Sequence, residues 1–443
     1  MPPPPTRSLP AGRRSAAASA KSRPAYYDER VESVELGAVA EHHQTQRPFD
    51  LFLIFAGANI VATTLQMGTY LPAFPLTTAM IVIAAGSIGG ALLVAVLAPI
   101  GSSLRVPSIV ATRAALGHQG AQVVAMLLFA TNFVWIAVNN AIAASITARL
   151  VSGPGAEHQA AWAVGFGILA TLIVLGGPRA VGLADRAAVP LLLVSGVVMT
   201  IACIRASMPP VAAAATSAVD MFHGFDIIFG YQTTWLLMFA DYSRYSRSGA
   251  RSAVATFAGL GLTALWFIPL GLIASRLAGS GDPGAMVSAL GLGWWGAALV
   301  TLGTLTTNFV NIYMSALALK SLRPTTSNRT AIWLIGGVGS ALSVLSEEIL
   351  NQLGAFTVGL AGLLVPIGGL LIAHFLLLRR RDSAAALYPA TPGVAPAVGN
   401  WKLAGMAAWI IGAAVFYASQ SIGGVLPSLA ASIAVYLLLA RRR

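Results

Sequence analysis

Long apolar segments separated by short polar connections follow one another from residue 48 to the end of the chain. A helix needs about 17–25 apolar residues to cross the hydrocarbon core of a bilayer, and all of these segments but one reach the lower end of that range. The pattern therefore predicts an all-α integral membrane protein with about 12 transmembrane helices. The predicted helices cover approximately residues 50–72, 77–100, 120–150, 160–177, 187–205, 225–241, 253–276, 292–319, 331–346, 354–378, 403–420 and 424–440.

Polar residues interrupt the first and the sixth of these segments. Gly57, Asn59 and Gln66 break the first apolar run, and residues 230–234 place a glycine and poor helix formers inside the sixth. Free backbone groups are costly in hydrocarbon, so a break persists only where the backbone is buried in protein or lines a cavity. Two interrupted helices that enter the membrane from opposite sides predict two inverted five-helix repeats, with a binding site at the breaks.

This reading divides the chain into four parts. The first is rich in Pro, Ala, Ser, Arg and Glu without an apolar run, a composition typical of disorder. The predicted parts are a disordered cytoplasmic tail (1–47), the first repeat (48–205), the second, inverted repeat (206–378), and two additional helices with a cytoplasmic C-terminus (379–443).

Composition and charge agree with a membrane protein. Hydrophobic residues make up 56% of the chain and charged residues 9%, while the net charge is +12. Seventeen Lys and Arg residues lie in the C-terminus and the loops predicted to be cytoplasmic, against three in the predicted outside loops. This asymmetry predicts an inner-membrane protein with both termini in the cytoplasm and explains the basic charge without a nucleic-acid partner.

The sequence lacks the motifs that several classes of protein function require. The chain has one cysteine, Cys203, and no phosphate-binding loop, nucleophile elbow or paired metal ligands between the apolar segments. An enzyme is therefore not predicted, nor is a cofactor or an obligate protein partner. A channel would need a continuous polar face along several helices, and a receptor a sizeable soluble domain, so both are unfavourable alternatives.

The third segment carries the first candidate binding residues. Asn132, Trp135 and Asn139 have the spacing i, i+3, i+7 and therefore share one helix face. An indole plane between two amides suits a flat ligand that both stacks and forms hydrogen bonds. Interhelical hydrogen bonds and a packed tryptophan explain the same pattern equally well.

The eighth segment carries hydroxyl and amide groups. Thr306 and Thr307 supply oxygens, and Asn308 and Asn311 follow within about one turn. Such hydroxyls commonly bond their own backbone. Together with carbonyls freed at the first break, near Gly57 and Ile60, they would instead form an all-oxygen site for a small cation.

Longer stretches resemble a known family. They are FAGANIVATTLQMG from residue 55, ATRAALG at 111–117, FVWIAVNN from 133, WLLMFADYSRYSR from 235, LGTLTTNFVNIYMSALAL from 302 and VPIGGLLIAHFLLLRRR from 365. Together they resemble the purine–cytosine permease branch of the nucleobase–cation symporters, which also includes hydantoin and allantoin carriers. The resemblance covers most of residues 45–440 and implies a sodium-symporter-type fold working by alternating access.

The resemblance also implies roles for the candidate residues. Trp135 would stack on the substrate ring, Asn132 or Asn139 would bond its edge, and Asn308 or Asn311 would bond it from the eighth helix. The carbonyls of Gly57 and Ile60 with Thr306 and Thr307 would bind Na⁺ as coupling ion, with H⁺ as the alternative. The full set of candidate substrate residues is Asn59, Asn132, Trp135, Asn139, Tyr231, Gln232, Trp235, Asn308 and Asn311.

The sixth segment departs from the family. An aromatic residue is common there at the unwound position, where this chain has Gln232, with Tyr231 beside it and Trp235 three residues on. The predicted function is import of cytosine, a purine or a close planar heterocycle by cation symport. A hydantoin, allantoin or vitamin-like heterocycle is the alternative substrate.

Overall fold

The computed structural model describes residues 37–153, 157–176, 178–206, 217–323, 325–388 and 397–440, and no β-strand occurs among them. Most of the predicted tail, residues 1–36, lies outside the described residues. The helices, in chain order, are α1 (Pro48–Asn59), α2 (Ala62–Gly68), α3 (Leu76–Ala95), α4 (Ala98–Leu104), α5 (Ser108–Ser152), α6 (Gln159–Leu175), α7 (Pro178–Arg205), α8 (Ala218–Thr233), α9 (Gly249–Phe257), α10 (Thr263–Ala278), α11 (Pro283–Ala289), α12 (Gly293–Leu322), α13 (Asn328–Leu342), α14 (Ser346–Asn351), α15 (Leu353–Leu371), α16 (Leu403–Ala418) and α17 (Val425–Ala440).

Each of the twelve predicted segments is occupied by helix. Five continuous helical stretches in the described residues are long and apolar enough to cross a membrane, and six if the bent pair α1–α2 counts as one span. Four shorter apolar helices lie at Gln159–Leu175, Pro190–Arg205, Leu403–Ala418 and Val425–Ala440. The all-α membrane fold is confirmed, while twelve crossings remains a prediction.

The first break lies where the sequence predicts it. Helix α1 ends at Asn59, α2 begins at Ala62, and the two helices are bent by 62°. Ile60 and Val61 between them have non-helical backbone angles. The Ile60 N–H still donates to the Ala56 carbonyl, and the ladder resumes with the Thr64 N–H donating to Val61. The main-chain carbonyls of residues 57–60 therefore accept no regular helical hydrogen bond.

The sixth segment changes geometry at the predicted position, while the backbone angles at Thr233 and Thr234 stay in the right-handed helical region. Regular α-helix ends at Thr233, and a tighter 3₁₀ turn follows over Thr234–Met238. The seventh and tenth segments each contain a π-helical turn, at Ala258–Leu262 and Ile372–Leu377 respectively. Such turns inside helices frequently mark functional positions.

Contacts divide most of the helices into two groups. In the first group α3 packs against α8, α2 against α10, and α1 against the π-helical turn before α10. In the second, α12 packs along α5, and α6 and α13 pack against each other and against α5. Each group thus combines two consecutive spans with the two spans that lie five further along the chain, as an inverted repeat requires.

Close backbone contact holds the first break in its group. A Cβ atom added at Gly271 of α10 would overlap the Leu65 carbonyl of α2, and one added at Gly68 would overlap the Ile268 carbonyl. Glycine at both positions lets the two backbones touch directly. The short helix α2 is therefore anchored to α10 by its main chain.

The remaining helices connect and flank the two groups. Helix α15 packs against α8, α7 packs against α12, and the terminal pair α16–α17 packs on α15. The Asp226 carboxylate of α8 accepts hydrogen bonds from the N–H groups of Gly424 (2.6 Å) and Val425 (3.2 Å) at the start of α17. The terminal pair is thereby joined to the sixth segment.

Candidate functional site

A cavity of about 600 Å³, including its open mouth, lies between the two groups of helices. Both irregular segments border it: Ala58 and Thr63 flank the first break, and Tyr231 and the 3₁₀ turn supply one side. Its lining residues are Ala58, Thr63, Leu128, Thr131, Asn132, Trp135, Asn139, Tyr231, Thr234, Trp235, Leu237, Met238, Thr307, Asn311, Leu360 and Leu364.

Helix α5 forms the most polar wall. Asn132, Trp135 and Asn139 all line the cavity, as their shared helix face predicts. The Asn139 Nδ2 donates to the Trp135 carbonyl at 3.0 Å, which leaves its buried Oδ1 without a partner among the described residues. The Nδ2 of Asn132 is buried and has no partner there either.

Two aromatic residues of the sixth segment face this wall. The Tyr231 ring meets the Trp135 ring edge to face, with centroids 6.1 Å apart at 68°. Trp135 is supported on another side by Phe356, with centroids 5.4 Å apart at 66°. Trp235 also lines the cavity, and its buried Nε1 has no hydrogen-bond partner among the described residues.

Helix α12 contributes two of its four candidate residues to the lining. Thr307 and Asn311 line the cavity. Asn308 is fully buried instead, with its Nδ2 donating to the Asn140 Oδ1 at 2.7 Å. The Thr306 hydroxyl is not part of the lining and donates to the Gly303 carbonyl at 2.8 Å.

Asn59 and Gln232 lie outside the lining although they sit at the two breaks. Both side chains are fully buried. The Asn59 Nδ2 and the Gln232 Nε2 each donate to the Leu260 carbonyl at 3.0 Å, and Asn59 also donates to the Thr263 Oγ1 at 2.9 Å. Their amide donors therefore bind the π-helical turn of the seventh segment.

The residues predicted to bind a cation lie at the break and on α12. Gly57 and Ile60 belong to the stretch where the helical ladder is interrupted, so their carbonyls are suited to a cation. Both Thr306 and Thr307 donate their protons to the Gly303 carbonyl, at 2.8 and 3.3 Å. A hydroxyl that has used its only proton offers lone pairs alone, which is what a cation needs from it.

Three threonines outside the predicted set also line the cavity. Thr63, Thr131 and Thr234 are among its lining residues. Thr131 and Thr234 donate to main-chain carbonyls one turn earlier, so they too present only acceptors.

The spacing of Leu360 and Leu364 on one face of α15 is a signal that could have identified the apolar wall.

The lining carries no charged side chain. Its fully buried polar atoms without a partner among the described residues are two donors, on Asn132 and Trp235, and one acceptor, on Asn139. An uncharged site of this kind can hold a flat, neutral molecule that stacks on the indole and has both donors and acceptors on its edge. Among the described residues no group of three or more His, Cys, Asp or Glu side chains is placed to hold a metal ion.

Long apolar helices in two related groups, with two irregular segments at a polar cavity between the groups, define a multi-pass membrane transport protein. Comparison with known families identifies which one. The family model described as a permease for cytosine/purines, uracil, thiamine and allantoin matches residues 38–437. The chain belongs to this permease family, and the predicted resemblance is confirmed.

Solved structures of transporters share the fold. The inward-facing conformation of Mhp1 aligns with a TM-score of 0.75 at 19% identity, over 89% of this chain and 90% of that one. Mhp1, a nucleobase-cation-symport-1 family transporter, also aligns in a closed conformation with bromovinylhydantoin bound, with a TM-score of 0.72 at 19% identity over 95% of each chain. A Na⁺-coupled sialic acid symporter in a substrate-bound outward-open state aligns with a TM-score of 0.57 at 11% identity over 91% of each chain.

These likenesses establish the fold with its 5+5 inverted repeat. A sequence search of curated proteins found no match.

Proposed function

We propose that this permease is a cation symporter that imports a neutral planar heterocycle, with cytosine or a purine as the favoured cargo. The observation that carries the proposal is the set of unpartnered polar atoms on Asn132, Asn139 and Trp235 around the indole of Trp135. Buried polar atoms without partners are costly in an empty protein interior. A ring with donors and acceptors on its edge would satisfy them while its face stacks on Trp135.

The absence of charge in the lining narrows the cargo further. Placing a carboxylate or another anion in this cavity would cost several kcal/mol because no side chain there can neutralise it. Neutral rings with donors and acceptors, such as cytosine and the purines, carry no such cost. The family description includes both.

A hydantoin-like ring is the second candidate. It is also flat and neutral and presents alternating donors and acceptors. A solved relative of the same fold holds bromovinylhydantoin. Allantoin and other compact heterocycles belong to the same candidate group.

Sodium is the proposed coupling ion, with protons as the alternative. Its site would combine the carbonyls of Gly57 and Ile60 with the hydroxyls of Thr306 and Thr307. These oxygens belong to an interrupted helix and to hydroxyls that have already donated their protons. Alternating access would then expose the cavity to either side of the inner membrane, with both termini cytoplasmic as the basic loops indicate.

Thermal stabilisation of the purified protein tests this function. A ligand that binds only the folded protein raises its melting temperature with the logarithm of ligand concentration. We expect one of cytosine, adenine, uracil, allantoin or a hydantoin to raise it, and more strongly in sodium than in potassium. Failure of every ring would refute the cargo class, and equal shifts in the two salts would refute sodium coupling.

A further inference from the structure

Hydrogen bonds connect the two interrupted helices directly behind the cavity wall. The Thr64 hydroxyl lies 2.6 Å from the Asn59 carbonyl and 2.7 Å from the Tyr231 hydroxyl. The Tyr231 hydroxyl is also 3.1 Å from the Thr63 Oγ1. All of these side chains are buried.

The direction of these bonds follows from the number of protons. Each hydroxyl has one proton to donate. The Thr64 proton goes to the Asn59 carbonyl, which can only accept, so the Tyr231 hydroxyl must donate to Thr64. Thr63 then donates to Tyr231. The Tyr231 proton therefore links the sixth segment directly to the residues of the first break.

The other side of this connection is a shared carbonyl. Asn59 and Gln232, the residue after Tyr231, both donate to the Leu260 carbonyl at 3.0 Å. The Thr263 hydroxyl, which accepts from Asn59, donates its proton to the neighbouring Gly259 carbonyl at 2.5 Å. The hydrogen bonds thus form a closed circuit from Asn59 through Thr64, Tyr231, Gln232 and Leu260 back to Asn59.

The circuit joins two parts of the proposed transport site. Asn59 precedes Ile60, whose carbonyl is a proposed sodium ligand, and it belongs to the break itself. Tyr231 lines the cavity and meets Trp135 edge to face. A change in the backbone at the break therefore reaches the aromatic wall through one threonine hydroxyl and one phenol.

We propose that the Tyr231 hydroxyl couples cation binding at the first break to the order of the substrate-binding wall. This inference rests on the proposed sodium symport. Sodium drawn to the carbonyls of the break fixes the Asn59 peptide, and the Thr64–Tyr231 bonds transmit that order to the end of α8. Because such coupling is reciprocal, a ring that orders Tyr231 favours sodium at the break.

Hydrogen–deuterium exchange with sodium as the only ligand tests the inference without knowledge of the cargo. The purified full-length protein is compared in sodium and in potassium, and exchange is followed in peptides covering residues 57–66 and 228–238. In the native protein we expect sodium to slow exchange in both peptides by at least about threefold, as local opening becomes less favourable. In Tyr231→Phe, which keeps the ring and removes the proton, slowing should persist at 57–66 and be clearly smaller at 228–238, because only the Leu260 side of the circuit remains.

Matched variants distinguish loss of the Thr64–Tyr231 hydrogen bond from an unspecific increase in local opening. Thr64→Val removes the next member of the circuit with little change in shape and should reproduce the pattern of Tyr231→Phe. Tyr417→Phe removes a tyrosine hydroxyl that donates to the Gly359 carbonyl at 3.0 Å; neither residue lines the cavity, so this variant should behave as the native protein. If Tyr231→Phe does not fold, Thr64→Val carries the test.

Two different results would overturn the inference, and they are distinguishable. Undiminished sodium protection of both peptides in Tyr231→Phe and in Thr64→Val would refute the role of these hydroxyls and leave the sodium site intact. No sodium protection of residues 57–66 in the native protein would refute the proposed sodium site, and the coupling with it.

Discussion

Replacing Trp135 with alanine is the most direct test of the substrate wall. The indole lies in the cavity between two asparagines of the same helix face. The Asn139 amide is held by the main-chain carbonyl of Trp135, not by its ring. The substitution therefore removes the stacking surface while the orientation of Asn139 is retained.

The expected loss follows from what the indole contacts. Stacking of a base on an aromatic ring contributes about 1–3 kcal/mol, which corresponds to about 5- to 150-fold in affinity. The variant also loses the edge-to-face contacts of the indole with Tyr231 and Phe356, each of which contributes about 0.5–1.5 kcal/mol to stability. Trp135→Ala should thus weaken ring binding by about 5- to 150-fold and lower the melting temperature, whereas Trp135→Phe should retain part of both.

Binding of labelled cytosine to purified protein, with uptake into proteoliposomes, measures the effect. Phe356→Leu is the matched control because Phe356 supports Trp135 without lining the cavity. This control should lose stability but bind cytosine within about threefold of the native protein, since it leaves the stacking face in place. Unchanged affinity in Trp135→Ala would refute stacking, and an equal loss in Phe356→Leu would assign the effect to packing.

Three further substitutions probe the cation site, the cavity edge and the connection after α15. Thr307→Ala should raise the sodium concentration for half-maximal binding about tenfold or more, because a polar contact to a charge contributes about 1.5–3 kcal/mol. Thr304→Ala is the control: the Thr304 hydroxyl donates to the Val300 carbonyl of the same helix, and its loss should leave sodium binding unchanged. Asn139→Leu removes the free acceptor and should weaken cytosine binding about tenfold or more, a prediction that equal affinities would contradict. Burial alone would raise the pKa of Asp382, but its hydrogen bond from His374 and nearby positive charges lower it below the ordinary 3.8. Asp382→Asn should therefore lower the melting temperature at pH 7, and the difference should shrink as the pH falls below 3.8; a difference independent of pH would exclude this ionic contribution.

The sequence predicted the positions of the breaks because they depend on local chemistry. Gly57 and Asn59 interrupt an apolar run, and α1 ends at Asn59. The polar stretch 230–234 predicted the end of α8 at Thr233. Residues in one helix determine where that helix stops being favourable, so these features need no tertiary information.

Helical spacing also predicted which α5 residues share a face. Asn132, Trp135 and Asn139 do line one cavity. Spacing alone gave no means to choose between a ligand site and interhelical contacts, because both place polar residues on one face. Their unpartnered atoms became visible only once the neighbouring helices were in place.

The sequence by itself thus determined the membrane fold, the two interruptions, the family and a polar face on α5. Only the tertiary structure decided that Asn59 and Gln232 bind the Leu260 carbonyl and that Asn308 binds Asn140, outside the cavity lining. The physical reason is that a hydrogen bond depends on the group opposite it. In this fold that group belongs to a helix far away in the chain, brought close by the packing of the repeats.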